Sequence, residues 1–116
     1  MASVLDELVD MSRRLGDPSK DYVILGEGNT SARADDQSFW VKASGARMAQ
    51  ITRHNFVRMR FEPILATLEG PALSDDELKE RLGAARADPG VRAWPSVETV
   101  LHALLLSRGG ATFVAH

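Results

Sequence analysis

The sequence predicts one α/β domain built in layers. Apolar residues recur at spacings of three and four in some stretches and alternate with polar ones in others. These are the periods of amphipathic helices and of half-buried strands. The two kinds of segment are interspersed along the chain, with no repeat, low-complexity tract or linker between them, which favours one layered unit over residues 1–116. A length of 116 residues fits that unit, since domains cluster at roughly 100–150 residues.

The elements follow in order. Val4, Leu5, Leu8, Met11 and Leu15 form one apolar stripe, so a first helix is expected from Ser3, a good N-cap, to Gly16-Asp17-Pro18. Tyr22 to Leu25 is a short apolar run, and Gly26-Glu27-Gly28-Asn29-Thr30-Ser31 is a tight, backbone-led loop. Residues 29–43 read as a hairpin that turns at Ala34 to Gln37, and Ser44-Gly45 closes it. Phe56 to Phe61 alternates apolar and basic residues, as a half-buried strand does. Ser74-Asp75-Asp76-Glu77 is a capping box that opens a helix running to about Ala87. A further helix is expected from Ser96 to Arg108-Gly109-Gly110, with Val97, Val100, Leu101, Leu104 and Leu105 as its buried stripe. Ala111 to Ala115 is a last strand. A core strand rarely ends a domain on its final residue, so the chain is expected to be cut at its C-terminus.

Composition excludes several classes. With no Cys, there is no disulfide scaffold, thiol nucleophile or thiolate metal site. Fourteen Lys and Arg against 16 Asp and Glu leave a charge of −2, without the basic excess of a nucleic-acid binder. The apolar run Ala103 to Leu106 is far shorter than the roughly 20 residues of a membrane helix. The first residues lack the basic start and apolar core of a signal peptide, so a cytoplasmic setting is the default.

Four places carry candidate chemistry. In the first loop, glycines allow backbone N–H groups close to an anion, and Asn29 adds an amide donor. The same residues also make a plain turn. The spacing is neither G-x-G-x-x-G before a helix nor a Walker loop, so no nucleotide fold is supported. Lys42-Ala43-Ser44-Gly45 offers a second anion corner or a simple turn, and alternation equally allows Lys42 to face solvent. At Pro95-Ser96-Val97-Glu98, a helix start favours phosphate. Ser96 would donate its hydroxyl there and Glu98 could shuttle a proton. Equally, Ser is a common N-cap, and an acid in the first turn complements the helix dipole. Glu98 and His102 share a face at a spacing of four, and a structural hydrogen bond is the commoner role for such a His. His116 follows a strand and is a candidate zinc ligand. His54 sits in a polar stretch, so His54, His102 and His116 do not compose a zinc triad.

Taken together, Gly28-Asn29-Thr30-Ser31, Lys42-Ala43-Ser44-Gly45, Pro95-Ser96-Val97-Glu98 with His102, and Val114-Ala115-His116 resemble the class II aldolase/adducin head family, in order and over nearly the whole chain. Fuculose- and rhamnulose-phosphate aldolases and ribulose-phosphate epimerase share that fold. The Gly-Glu-Gly-Asn-Thr-Ser variant, with Phe39 to Gly45, is most similar to the aldolase part of bifunctional aldolase/dehydrogenase proteins.

The resemblance implies an αβα domain around a central, mostly antiparallel sheet. It implies a zinc-dependent aldolase cleaving a sugar or ketose phosphate, with zinc acting as a Lewis acid on an enediolate. Asn29, Ser44, the Gly45 backbone and Ser96 match phosphate-binding positions, Glu98 the acid/base carboxylate, and His116 the first His of a zinc pair. The remaining zinc ligands lie downstream in the family. Val97 stands where many of these aldolases carry a second Ser. A homotetramer acting on a small-molecule sugar or sugar phosphate is implied, with no nucleic-acid or membrane partner. An epimerase or decarboxylase of the same fold, or a non-catalytic adducin-like interaction module, is the alternative.

Overall fold

A computed structural model describes residues 3–17, 28–88, 90 and 93–115. The run Tyr22 to Leu25, the Gly26-Glu27 start of the first loop, and His116 lie outside the described residues.

Helix α1 spans Val4–Leu15 and opens with a capping box in which Ser3 and Asp6 satisfy each other's backbone N–H. The hairpin follows as β1 (Thr30–Arg33) and β2 (Ser38–Lys42). At its turn, Asp35 Oδ1 accepts from Gln37 N at 2.9 Å and Ser38 Oγ at 2.8 Å. The Ser38 bond, with the Gln37 bond, holds the Asp35 carboxyl below its usual range. Strand β3 covers Phe56–Arg60. The sheet order is β3-β2-β1-β4, antiparallel throughout, with β4 at Phe113–Ala115.

The strands are covered on both faces. On one side Leu5, Leu8 and Val9 of α1 pack on Ala32, Ile51 and Phe56. On the other, Phe39, Val41, Val57 and Met59 meet Phe61, Ile64, Leu82, Ala103 and Leu106 from three further helices. This is the expected αβα layering. Burial on both faces also explains why Lys42, the last residue of β2, is only 1% exposed. Alternation points a residue at solvent only where one face is wet.

Helix α2 (Phe61–Glu69) follows β3 directly. Phe61, Ile64, Leu65 and Leu68 carry its helical period, and Pro63 sits in the first turn, where its missing N–H costs nothing. Helix α3 (Asp75–Ala84) opens with the expected Ser74 capping box. It stops earlier than Ala87 because the β3 edge captures the chain. Arg60 N donates to Ala85 O at 2.9 Å, and Ala87 N to Arg58 O at 2.8 Å.

Helix α4 spans Thr99–Ser107 and differs from expectation twice. It starts three residues after Ser96, because Pro95 pairs with Ala43 in an isolated bridge that keeps this stretch extended. Its buried face is Thr99, His102, Ala103 and Leu106, whereas Val97, Leu101 and Leu105 are 42%, 40% and 39% exposed. The helix is apolar nearly all round, so apolar spacing could not choose its face. Polar contacts with β1 choose it, as described next.

Candidate functional site

Strand β1 presents alternate residues to alternate layers. Thr30 faces α1, where its Oγ1 lies 2.6 Å from Ser12 Oγ. Asn29, Ser31 and Arg33 face α4 instead. The Asn29 side-chain amide donates to Glu98 Oε2. Ser31 Oγ shares a buried hydrogen bond with His102 Nδ1. Arg33 Nη2 donates to the Leu106 carbonyl. Each step of two along the strand matches a step of four along the helix. Two strand residues span about 6.7 Å and four helical residues about 6.0 Å, so the ladder holds its register over three rungs.

The other arm of the site is the turn after β2. Ala46 N donates to Ala43 O at 3.3 Å, closing a tight turn over Ser44 and Gly45. Gly45 has φ +84°, a left-handed conformation, with nothing within 4 Å of an added β-carbon. Glycine is needed there for its backbone, not for lack of room. Lys42 braces the turn from inside, its Nζ donating to Ala46 O at 2.6 Å. Burial pulls the Lys42 ammonium down from its usual pKa, while the Glu98 carboxylate pulls it up. From the far side, Ser44 N donates to Trp94 O at 2.8 Å, which ties the turn to the stretch leading into α4.

Ser96 lies in the turn before α4. Its carbonyl accepts from Thr99 N at 3.1 Å, while its buried hydroxyl oxygen has no hydrogen-bond partner among the described residues. Thr99 Oγ1, also buried, has none among them either. Orphaned buried hydroxyls are rare and call for a partner. Glu98 is the residue flanking the helix start, where the dipole favours a carboxylate.

The structure thus joins Asn29 to Glu98 directly, and joins the Ser44–Gly45 turn to the stretch that carries Ser96. His102 is the buried structural hydrogen-bonder that its type suggested, and His54 is exposed. Register carries Ala115 opposite Thr30, one position short of His116 in the sequence. Sequence reasoning missed Trp94, whose role runs through its backbone carbonyl, and the buried brace of Lys42. The Trp-Pro step was the available signal for the first, because a residue before proline is held extended.

Among the described residues, no three His, Asp or Glu gather to hold a metal ion. Glu98 alone does not make a metal centre, so the zinc expectation rests on His116. A cavity of about 1110 Å³ opens at the hairpin end of the sheet, lined by residues including Asp35, Arg58, Arg60 and Ser107. None of the expected site residues lines it. No helix among the described residues is long and apolar enough to cross a membrane.

Known proteins share this fold. The N-terminal class II aldolase domain of a conserved protein from Thermoplasma acidophilum superposes with a TM-score of 0.84 at 30% identity, over 100% of this chain and 55% of that one. An L-fuculose-1-phosphate aldolase from Thermus thermophilus shares the fold, with a TM-score of 0.61 at 21% identity, over 97% of this chain and 46% of its own. An uncharacterized oxidoreductase, YuxG, of Bacillus subtilis (strain 168) is 30% identical over an alignment of 109 residues that covers 87% of this chain and 16% of that protein. The chain therefore spans about half the length of these solved relatives and a much smaller share of the curated one. Residues 6–116 match the family described as the Class II Aldolase and Adducin N-terminal domain, and the chain belongs to that family.

Proposed function

We propose that this chain supplies the oxyanion-binding and proton-transfer part of a class II aldolase site acting on a sugar or sugar phosphate. The observation that carries this is the buried Ser96 hydroxyl, which has no partner among the described residues, in the stretch that links the Ser44 turn to the Asn29–Glu98 contact. The hydroxyls of Ser96 and Ser44 and the Gly45 backbone N–H donate to the phosphate of the substrate, whose remote binding energy orients the reacting carbons. Asn29 takes one oxygen of Glu98 and fixes the carboxyl's direction. Glu98 moves the proton. In cleavage the hydroxyl next to the breaking bond gives its proton to solvent and becomes the aldehyde carbonyl, the carbon–carbon electron pair stays on the ketone fragment, and Glu98 delivers a proton to that carbon. In condensation Glu98 removes it.

Zinc, with His116 as the ligand this chain would contribute, supplies Lewis-acid stabilisation of the charge left on that fragment. The exposed Val97, Leu101 and Leu105 stripe supports a contact face in a homo-oligomer, a tetramer by family likeness, and a cytoplasmic setting completes the proposal.

Retro-aldol assays on ketose 1-phosphates test it, with L-fuculose 1-phosphate as the first probe. Glu98→Gln keeps an acceptor for Asn29 but cannot carry the proton, so the cleavage rate is expected to fall by about 10²–10⁴ with the fold intact. An unchanged rate in a folded Glu98→Gln protein would remove Glu98 from the mechanism.

A further inference from the structure

The stretch that carries Ser96 is held from behind by the end of α3. The Trp94 ring lies so close over Gly83 that a β-carbon there would stand 2.3 Å from two ring carbons. The Arg86 guanidinium covers the same ring, 4.2 Å from its centroid. Arg86 is only 8% exposed, and it donates from Nε to Gly83 O at 2.8 Å and from Nη1 to Ala93 O at 3.2 Å. A planar fork that stacks and donates at once suits Arg and not Lys, and such stacking strengthens where the cation is desolvated.

The consequence reaches the site through the backbone. The carbonyl of the clamped Trp94 accepts from Ser44 N at 2.8 Å, and the next residue, Pro95, bridges Ala43. The ring, the cation and the glycine together fix the extended stretch that the Ser44–Gly45 turn leans on. None of the three is among the residues expected to touch a ligand.

We propose that Arg86 and Trp94, seated on Gly83, are a positioning pair that sets the spacing between the Ser44–Gly45 turn and Ser96, and with it the affinity of the site for a tetrahedral oxyanion. The affinity clause rests on the function proposed above. The spacing clause does not. Loosening the clamp frees the Trp94 carbonyl, slackens its bond to Ser44 and lets the two donor groups drift apart.

Two measurements on the protein, made on Arg86→Leu, Arg86→Lys and Gly83→Ala, separate the clauses. Site-resolved amide exchange reads the Ser44–Trp94 bond, with Val9 in α1 as the control. Phosphorus NMR titration with inorganic phosphate reads affinity. In Arg86→Leu and Gly83→Ala, Ser44 exchange is expected to speed by about tenfold or more while Val9 stays unchanged. Phosphate binding is expected to weaken by about tenfold in the same variants, with Arg86→Lys falling between them and the wild type. Should Arg86→Leu fail to fold, Gly83→Ala and Arg86→Lys carry the test. Wild-type Ser44 exchange in a folded variant, or equal speeding at Val9, would overturn the positioning role. Absence of phosphate binding to the wild type would overturn the functional proposal, and a Ser44 response in that case would still support the clamp.

Discussion

Ser31 on β1 and His102 on α4 share a hydrogen bond between Oγ and Nδ1 at the centre of the domain, where both residues are fully buried. Asn29 meets Glu98 one rung away and Arg33 meets the Leu106 carbonyl on the other side. The middle rung therefore sets the rotation and the axial position of the helix that presents Glu98. Ser31→Ala leaves a buried imidazole nitrogen without this partner. It is expected to cost about 1–3 kcal/mol, read by urea unfolding, with cleavage activity falling further than stability alone explains. No change in either would show that the rung does not hold the helix.

The orientation of α4 makes its own prediction. Leu106 is fully buried and Leu101 is 40% exposed. Leu106→Ala is expected to cost about 2–5 kcal/mol, whereas Leu101→Ala should stay within about 0.5 kcal/mol in the monomer. Denaturant midpoints decide it, and the reverse order would mean that the helix is rotated.

Lys42 gives a pH signature. Burial lowers its pKa from 10.5, against the pull of Glu98. Between the lowered value and 10.5, the unfolded chain binds the proton that the folded chain has released. Stability then rises with pH across this window. Below the folded pKa the buried ammonium is charged in both states and its desolvation counts against folding. Subtracting a Lys42→Met curve from the wild-type curve of unfolding free energy against pH should leave a difference that climbs towards pH 10.5. A flat or falling difference would contradict the burial.

Much of this was legible in the sequence where a local rule had no competitor. The capping boxes at Ser3 and Ser74 mark the starts of α1 and α3 because their hydrogen bonds are local. The hairpin is legible from its alternation and its Asp35 turn. The start and face of α4 were not, because both are settled by partners far away in sequence. Pro95 is held extended by Ala43, and His102 is drawn inward by Ser31. Helix α2 was missed although Phe61, Ile64, Leu65 and Leu68 carry its period, because the strand-like alternation from Phe56 runs on through Phe61, whereas β3 ends at Arg60 and Phe61 opens the helix. At the site, the motifs named Asn29, Ser44, Gly45, Ser96 and Glu98, but residues that act through backbone carbonyls, such as Trp94, leave little trace in side-chain chemistry.

The central claim is that Asn29, the Ser44–Gly45 turn, Ser96 and Glu98 surround one oxyanion site. Amide chemical-shift titration with inorganic phosphate tests it most directly. The backbone amides of Ser44, Gly45 and Ser96 and the side-chain amide of Asn29 are expected to shift together along one binding curve, with Arg58 and Arg60 in the distant cavity unmoved. Shifts confined to Arg58 and Arg60, or separate curves for the Ser44 turn and Ser96, would contradict it.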